Sequence, residues 1–543
     1  MSFASGSFAL EAAVDTVHAD FFWQQGYTGN GVEIGVIDLF LADTSHPAIS
    51  GNHLGSETFV NGASWLGAHA TAVTGAALSQ DPTRRGVAYD AGWWTGQTTN
   101  RGSITTQRTQ TIAAETFAGG LGALGGNPAE VITMSIGLGG VDTATDQWSL
   151  GLDHISSTMG TTIVVAAGND GPASSSFSGP PATAFNVLSV GATGGTGAVV
   201  TENYGQVAPY SSRGPTSDGR SKPDIVAPGS LIELPTLGGA WAVGSGTSFA
   251  APLVAGGAAL LVDMGRDRGL DADALVIKSV LMNSADKLTG WTHSSTAPLD
   301  PNQGVGQMNL ESAFHQYDAG EWGLGTVGAI GWDHGAIVGS TDNTYGISPT
   351  VPAGVNFTST LVWNRNVSTN VENIETAVYT AAPLANLDLF LYEAGDLSTP
   401  VATSMSMVDN VEHLFLSIPQ QGQYVLQVHS AGGSLVDPLS YSLAWYVDVP
   451  EVTLLGDYNE NDVVDAADYT VWRDALTAGS TSLTNDPTPG AVDESDFAYW
   501  RAHFGESLGS GAGAGSAAVP EPSTLVLLMF AAAGWGLRRA RSA

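Results

Sequence analysis

The chain has 543 residues, 43% of them hydrophobic, which is enough for more than one sizeable core and points to two to four domains. Only 13% are charged, and 17 Lys and Arg against 52 Asp and Glu leave a net charge of −35, a surface that repels phosphate backbones and excludes a nucleic-acid binder. The absence of cysteine removes disulfide scaffolds, zinc–thiolate sites and thiol nucleophiles together. This acidic, lysine-poor composition fits an exported bacterial protein.

The first ten residues lack a basic segment and a continuous apolar run, so no signal peptide is expected there, and no prosegment is visible ahead of residue 14. Residues 14–318 mix continuous apolar strands with Ala-rich helical stretches, the pattern of a parallel α/β sheet. Three strands end at polar residues: Val32-Glu-Ile-Gly-Val-Ile-Asp38, Val131-Ile-Thr-Met-Ser135 and Ile163-Val-Val-Ala-Ala-Gly-Asn169. A single such Asp is commonly a cap or turn residue. Three in one block point to chemistry, which gathers at the carboxyl ends of parallel strands.

Gly246-Thr-Ser-Phe-Ala-Ala-Pro252 opens an apolar helix. Ser248 sits where unpaired amides and the helix dipole favour negative charge, and Pro252 lacks the N–H that would bond the Ser248 carbonyl. Alone, the segment reads more readily as a helix cap at Thr247 or Ser248. A serine nucleophile also needs a base, a carboxylate to orient it and donors for an oxyanion. His69, Asp38 and Asn169 supply these types, in the order Asp, His, Ser. Asp43 is a competing carboxylate.

On these residues the block resembles the subtilisin-like serine peptidases. Gly246-Thr-Ser-Phe-Ala-Ala-Pro252 is similar to their serine motif and Ala167-Gly-Asn169 to their oxyanion motif. Ser211-Ser-Arg-Gly-Pro215 with Lys222-Pro-Asp-Ile-Val-Ala-Pro-Gly229, Gly86-Val-Ala88, His46-Pro47 and Val280-Leu-Met-Asn-Ser-Ala285 fit as well. The resemblance implies an α/β parallel-sheet catalytic domain over 14–318. It implies a catalytic triad of Asp38, His69 and Ser248, an oxyanion donor in Asn169, and pairing of extended protein or peptide substrates along Ser135, Ile136 and Gly137. It also implies structural calcium in this domain, with no ligands assigned. Two motifs depart from the pattern. Ala72 stands where a second histidine is usual, and Leu39-Phe40 replaces the Thr/Ser-Gly that normally follows the aspartate. A catalytically inactive subtilisin fold acting as a surface or docking protein is the alternative that these departures raise.

Residues 319–449 show short alternating runs such as Asn386-Leu-Asp-Leu-Phe-Leu-Tyr392, read as an all-β sandwich serving as a spacer or non-specific binder. In 452–508, Asp465-Ala-Ala-Asp-Tyr-Thr-Val-Trp-Arg473 recurs as Asp493-Glu-Ser-Asp-Phe-Ala-Tyr-Trp-Arg501. Counted from Asp457, oxygens of Asp457, Asn459, Asn461, the Val463 carbonyl, Asp465 and Asp468 fall at spacings that suit Ca²⁺, although Asp462 occupies the usual glycine position. A solvated acidic turn is the alternative. The second copy places Pro487 and Pro489 where ligands belong and is expected to bind weakly or not at all. The block resembles a small α-helical, EF-hand-like dockerin module, which implies a cohesin-like partner. A Gly/Ala/Ser linker (509–518) precedes 519–543, where Val519-Pro-Glu-Pro-Ser-Thr524, a short apolar run and Arg538-Arg539 resemble the PEP-CTERM sorting signal. At about 1.5 Å per residue that run is short of a membrane's apolar core. The resemblance implies export from a Gram-negative bacterium and transient membrane contact through the tail.

Overall fold

The computed structural model describes residues 10–507 apart from 101–106, 121–125, 138, 141, 174–176, 178, 197, 371–375, 433–437, 449–453, 460, 462, 487 and 489. The linker (509–518) and tail (519–543) read from the sequence lie outside the described residues. The chain divides into two compact units, residues 1–449 and 450–543.

In the first unit, β1 (Glu33–Asp38), β2 (His53–Thr58), β3 (Gly92–Gln97), β4 (Val131–Met134), β5 (Thr162–Ala166), β6 (Leu188–Thr193) and β7 (Ile225–Pro228) form one parallel sheet. Their order is β7-β6-β5-β4-β1-β3-β2. The strands are continuously apolar because both faces are covered. Ile34, Val36, Val131 and Val164 face one core, while Ile37, Ile132, Met134, Ile163 and Val165 face another. The first core takes α1 (Ala68–Leu78) and the 22-residue α4 (Thr247–Arg268). The second takes α2 (Gln107–Ala118) and α3 (Gln147–Met159). Gly256 lets α4 cross close to the Gly86-Val-Ala88 segment, since a Cβ there would lie 2.6 Å from Val87 Cβ. The chain builds β2 and β3 on one side of β1 and β4 to β7 on the other, so a crevice opens between β1 and β4 at their carboxyl ends.

After α5 (Ala274–Asn283) and α6 (Leu310–Asp318) the chain turns to β structure. Its strands are β8 (Gly325–Val327), β9 (Ile330–Ile337), β10 (Asp342–Val351), β11 (Asn356–Trp363), β12 (Asn386–Glu393), β13 (Ala402–Ser404), β14 (Val411–Ser417), β15 (Gly422–Gly432) and β16 (Leu439–Val447). They form a five-stranded sheet, β8-β10-β15-β12-β13, and a four-stranded sheet, β9-β16-β11-β14. The two sheets share a core built on Tyr345, Trp363, Tyr424, Tyr441 and Trp445.

The β region is packed directly on the α/β region rather than tethered to it. Helix α5 packs on β11 and β16, and Trp332, Val362, Val411 and Ala444 belong to the same buried cluster as α4. Arg365 Nε donates to Asp153 Oδ2 at 2.8 Å, with both side chains buried. The Asn186 amide bridges Arg365 O and Asp153 O. The Phe185 ring lies between the Arg220 and Arg365 guanidinium groups, each 4.1 Å from its centroid.

In the second unit the sequence repeat becomes α7 (Ala466–Ala478) and α8 (Glu494–His503), each opened by a reciprocal aspartate cap: Asp465 with Asp468, and Asp493 with Asp496. Trp472 Nε1 donates to the Asp493 carbonyl at 2.9 Å, and Trp500 Nε1 to the Asp465 carbonyl at 2.7 Å. Each copy's indole N–H therefore finds its acceptor at the carbonyl that opens the other copy's helix.

The buried Arg365–Asp153 pair generates a stability prediction. Arg365→Leu leaves a buried carboxylate uncompensated and should lower unfolding free energy by about 3–5 kcal/mol in chemical denaturation. Adding Asp153→Leu should recover much of the loss. Equal stability of wild type and Arg365→Leu would mean that the pair does not hold the two regions together.

Candidate active site

Asp38 ends β1, and its carbonyl is pinned by the amide and hydroxyl of Thr98. One carboxylate oxygen accepts the Leu39 amide at 2.6 Å and the other accepts His69 Nδ1 at 2.7 Å. The carboxyl group is 3% exposed and the imidazole 44% exposed. Thus the missing Thr/Ser after Asp38 leaves the carboxylate supported, because a backbone amide does the work. Ala72 is buried in the apolar face of α1, and no second histidine stands beside His69 there. Asp43 does not reach the imidazole. Its oxygens accept from Ser45 N and Oγ and from Gly238 N, and it holds a turn. His46 is structural as well: Nδ1 accepts the Ala48 amide and Nε2 donates to the Ala240 carbonyl.

Ser248 is the second residue of α4. The carbonyl that Pro252 leaves without a helical partner accepts a hydrogen bond from Ser135 Oγ at 2.7 Å. The Ser135 hydroxyl is therefore committed to the start of α4. Asn169 follows β5. Its amide oxygen accepts from Thr247 N at 2.9 Å and Thr247 Oγ1 at 3.1 Å, and Gly168 N donates to the same hydroxyl at 3.1 Å. Two donors on one atom identify it as oxygen and free the NH₂ group for the recess that Asn169 shares with Ser248. Thr247, directly before Ser248 in the sequence, is thus the holder of Asn169, a role that no local pattern signals because the two lie 78 residues apart.

Two cavities meet at Ser135, Ile136 and Gly137. One, of about 630 Å³, holds Asp38 and His69, and the other, of about 340 Å³, holds Asn169 and Ser248. Phe249, next to Ser248, packs its ring 5.9 Å from the His69 ring. Burial lowers the His69 pKa, but the hydrogen bond and charge of Asp38 outweigh it and hold the imidazole above its ordinary 6.5. A neutral imidazole oriented by a buried carboxylate, a helix-start hydroxyl and a free amide N–H can together support nucleophilic attack on a carbonyl with proton transfer.

The proposed calcium ligands are only partly gathered. Asp457 and Asp468 are buried. Asn459 N donates to Asp468 Oδ1 at 3.0 Å, Asn461 N to Asp457 Oδ1 at 3.2 Å and Val463 N to Asn461 Oδ1 at 3.1 Å, so these residues form one wrapped turn. The Asp465 carboxylate caps α7 through the Ala467 amide, and Asp468 closes the same cap by accepting the Asp465 amide. Among the described residues no three His, Cys, Asp or Glu side chains are assembled as a metal site. Asp462 lies outside the described residues. In the second copy Thr488 Oγ1 donates to Asp496 Oδ1 at 2.6 Å; Pro487 and Pro489 lie outside the described residues.

The subtilase family model matches residues 29–306, and the model of the PEP-CTERM protein-sorting motif matches residues 518–541. Serine protease AprX of Bacillus subtilis is 29% identical over 56% of this chain and 71% of its own length. The thermophilic serine proteinase of Bacillus sp. (strain AK1) is 29% identical over 50% of this chain and 61% of its own length. Pyrolysin of Pyrococcus furiosus is 33% identical over 34% of this chain, and the match spans only 15% of pyrolysin.

The Asp38–His69 pair predicts an NMR titration of His69 with a midpoint above 6.5, moved downward in Asp38→Asn, where burial alone remains. The sign follows from the raised folded value: the pair contributes stability below pH 6.5 and loses it as pH climbs through the folded midpoint. A midpoint that does not move in Asp38→Asn would remove Asp38 as the cause.

Proposed function

Because the chain belongs to the subtilase family, we propose that it is a serine endopeptidase that cleaves peptide bonds through an acyl-enzyme formed on Ser248. In this reading a peptide lies extended along residues 135–137 as an added strand. His69 takes the Ser248 proton as Oγ attacks the carbonyl, then protonates the leaving amine. Asp38 holds the imidazole in the tautomer that needs Nδ1–H and stabilises the imidazolium. The Asn169 NH₂ and the Ser248 backbone N–H receive the oxyanion. The observation that carries the reading is the Asp38–His69 hydrogen bond beside a recess in which Thr247 has turned the Asn169 NH₂ group loose next to Ser248.

The wrapped turn at 457–468 supports a second, structural proposal. Its donors are all hard oxygens and two of its carboxylates are buried, so Asp457, Asn459, Asn461, the Val463 carbonyl and Asp468 would hold a Ca²⁺ ion that stabilises the module. We place Asp465 as a helix cap that at most backs this site. A dockerin-like module of this kind would dock on a cohesin-like partner. The sorting motif points to export and association with the surface of a Gram-negative cell, with the tail 518–541 contacting the membrane during processing.

Ser248→Ala should abolish hydrolysis of casein and labelling by a serine-directed phosphonate, and Asn169→Ala should lower kcat by about 10²–10³. A folded wild-type protein that neither cleaves nor takes the label would be an inactive member of the family acting as a docking protein. For the module, millimolar Ca²⁺ should raise an unfolding transition of the full chain that Asp468→Ala abolishes. Identical melting in calcium and in chelator would dispose of the ion.

A further inference from the structure

We propose that a cavity of about 490 Å³ between α5, α6 and the four-stranded sheet binds a monocarboxylate, with the Lys287 ammonium as its counter-charge. Asn283 closes α5, Ser312 lies in α6, and Asn356, Phe415 and Tyr446 come from β11, β14 and β16. None of its lining residues lines the two cavities that meet at Ser135, so the site is separate from the proposed peptidase centre.

Lys287 differs from the other lysines in its partners. The chain has three lysines. Lys222 pairs with Asp224 at 2.6 Å, Lys278 donates to the Phe185 and Val187 carbonyls at 3.0 Å each, and both are buried. Lys287 has no carboxylate within ion-pair distance among the described residues. Its amine reaches only the Ala285 carbonyl, at 3.5 Å, and lies 5.0 Å from the Trp291 ring centre and 5.3 Å from that of Phe415. Burial pushes the amine down to about 7, and the neighbouring Asp286 opposes this only in part, since its Oδ2 accepts from Asn309 Nδ2 at 3.0 Å. An ammonium withdrawn from water without a partner is unfavourable, and an anion entering the cavity would relieve that cost.

The loop that carries the amine is fixed in place. Asp286 N donates to the Gln307 carbonyl and Gln307 N to the Asp286 carbonyl, both at 2.8 Å, and Leu288 N donates to Gln303 Oε1 at 3.0 Å. Gly306 permits this approach, because a Cβ there would lie 2.1 Å from the Asp286 carbonyl oxygen. Trp291 Nε1 donates to the Gly304 carbonyl at 2.8 Å, which anchors one of the two rings beside Lys287.

The charge balance selects the ligand. One lysine matches one negative charge. Asp286 and Asp448 border the same cavity and the chain carries −35 overall, so a phosphate or sulfate dianion is repelled more strongly than a monocarboxylate. Ser312 and Asn356 add a hydroxyl and an amide as donors on the wall, and the Phe415 ring gives the ligand's body an apolar surface. A free organic acid and the C-terminus of a peptide offer the same group.

Acetic anhydride, which acylates uncharged amines, tests the proposal in the full chain, with the acylated lysine identified by mass spectrometry. At neutral pH Lys287 should be the lysine acylated. Saturating phenylpropanoate should slow its acylation about 10–100-fold, the worth of a charge-assisted hydrogen bond, and phenylpropanamide should leave it unchanged. The peptide Ala-Ala-Phe protecting at lower concentration than phenylpropanoate assigns the site to peptide ends, and the reverse order assigns it to small acids. Lys287→Gln should abolish calorimetric binding of phenylpropanoate, and Lys287→Arg should restore it. An unprotected Lys287, equal protection by the amide, or binding that survives Lys287→Gln overturns the proposal. The protection measurement uses wild type and does not depend on how the variants fold.

Discussion

Parallel strands that are covered on both faces all finish at the same edge of the sheet, and the candidate site is a consequence of that constraint. Ile37 is in register with Met134, and Met134 with Val165, so β1, β4 and β5 reach the edge side by side. Asp38 and Ser135 come next on β1 and β4, and Asn169 stands three residues past the end of β5, where it lines the same recess as Ser135. The helices complete the arrangement from one side. Helix α1 brings His69 onto the Asp38 carboxylate, and α4 begins beside Ser135 and Asn169.

The start of α4 shows how a local defect becomes a connection. Pro252 removes one helical hydrogen bond, and the carbonyl so exposed is met by a hydroxyl from the neighbouring strand end. Thr247 makes the matching link to Asn169 with its amide and its hydroxyl. The serine is therefore held from both sides by groups that belong to the sheet. Its position is set by the same edge that sets Asp38.

Much of this was legible in the sequence because the relevant patterns are short. Continuous apolar strands ending in Asp38, Ser135 and Asn169 announced a two-sided parallel sheet, and the glycine- and alanine-rich starts of α1 and α4 marked the helices. The orphaned Ser248 carbonyl could be deduced from Pro252, but its partner could not, since Ser135 lies 113 residues away. The docking of the β region was hidden for the same reason. Arg365 and Asp153 are 212 residues apart, and neither carries a local signal of burial. Asp465 was ambiguous in a different way. The spacing that places a carboxylate on a cation also places it at a helix start, and its capping of the Ala467 amide cannot be read from the spacing.

The paired tryptophans of the C-terminal repeat carry an implication for how such a module holds together. Each indole N–H finds its acceptor on the opposite copy, at the carbonyl just ahead of that copy's helix. One copy in isolation would lose its indole's acceptor together with the opposite copy's part of the shared apolar cluster. The two copies are therefore mutually dependent, since deleting either one removes the acceptor of the other's indole.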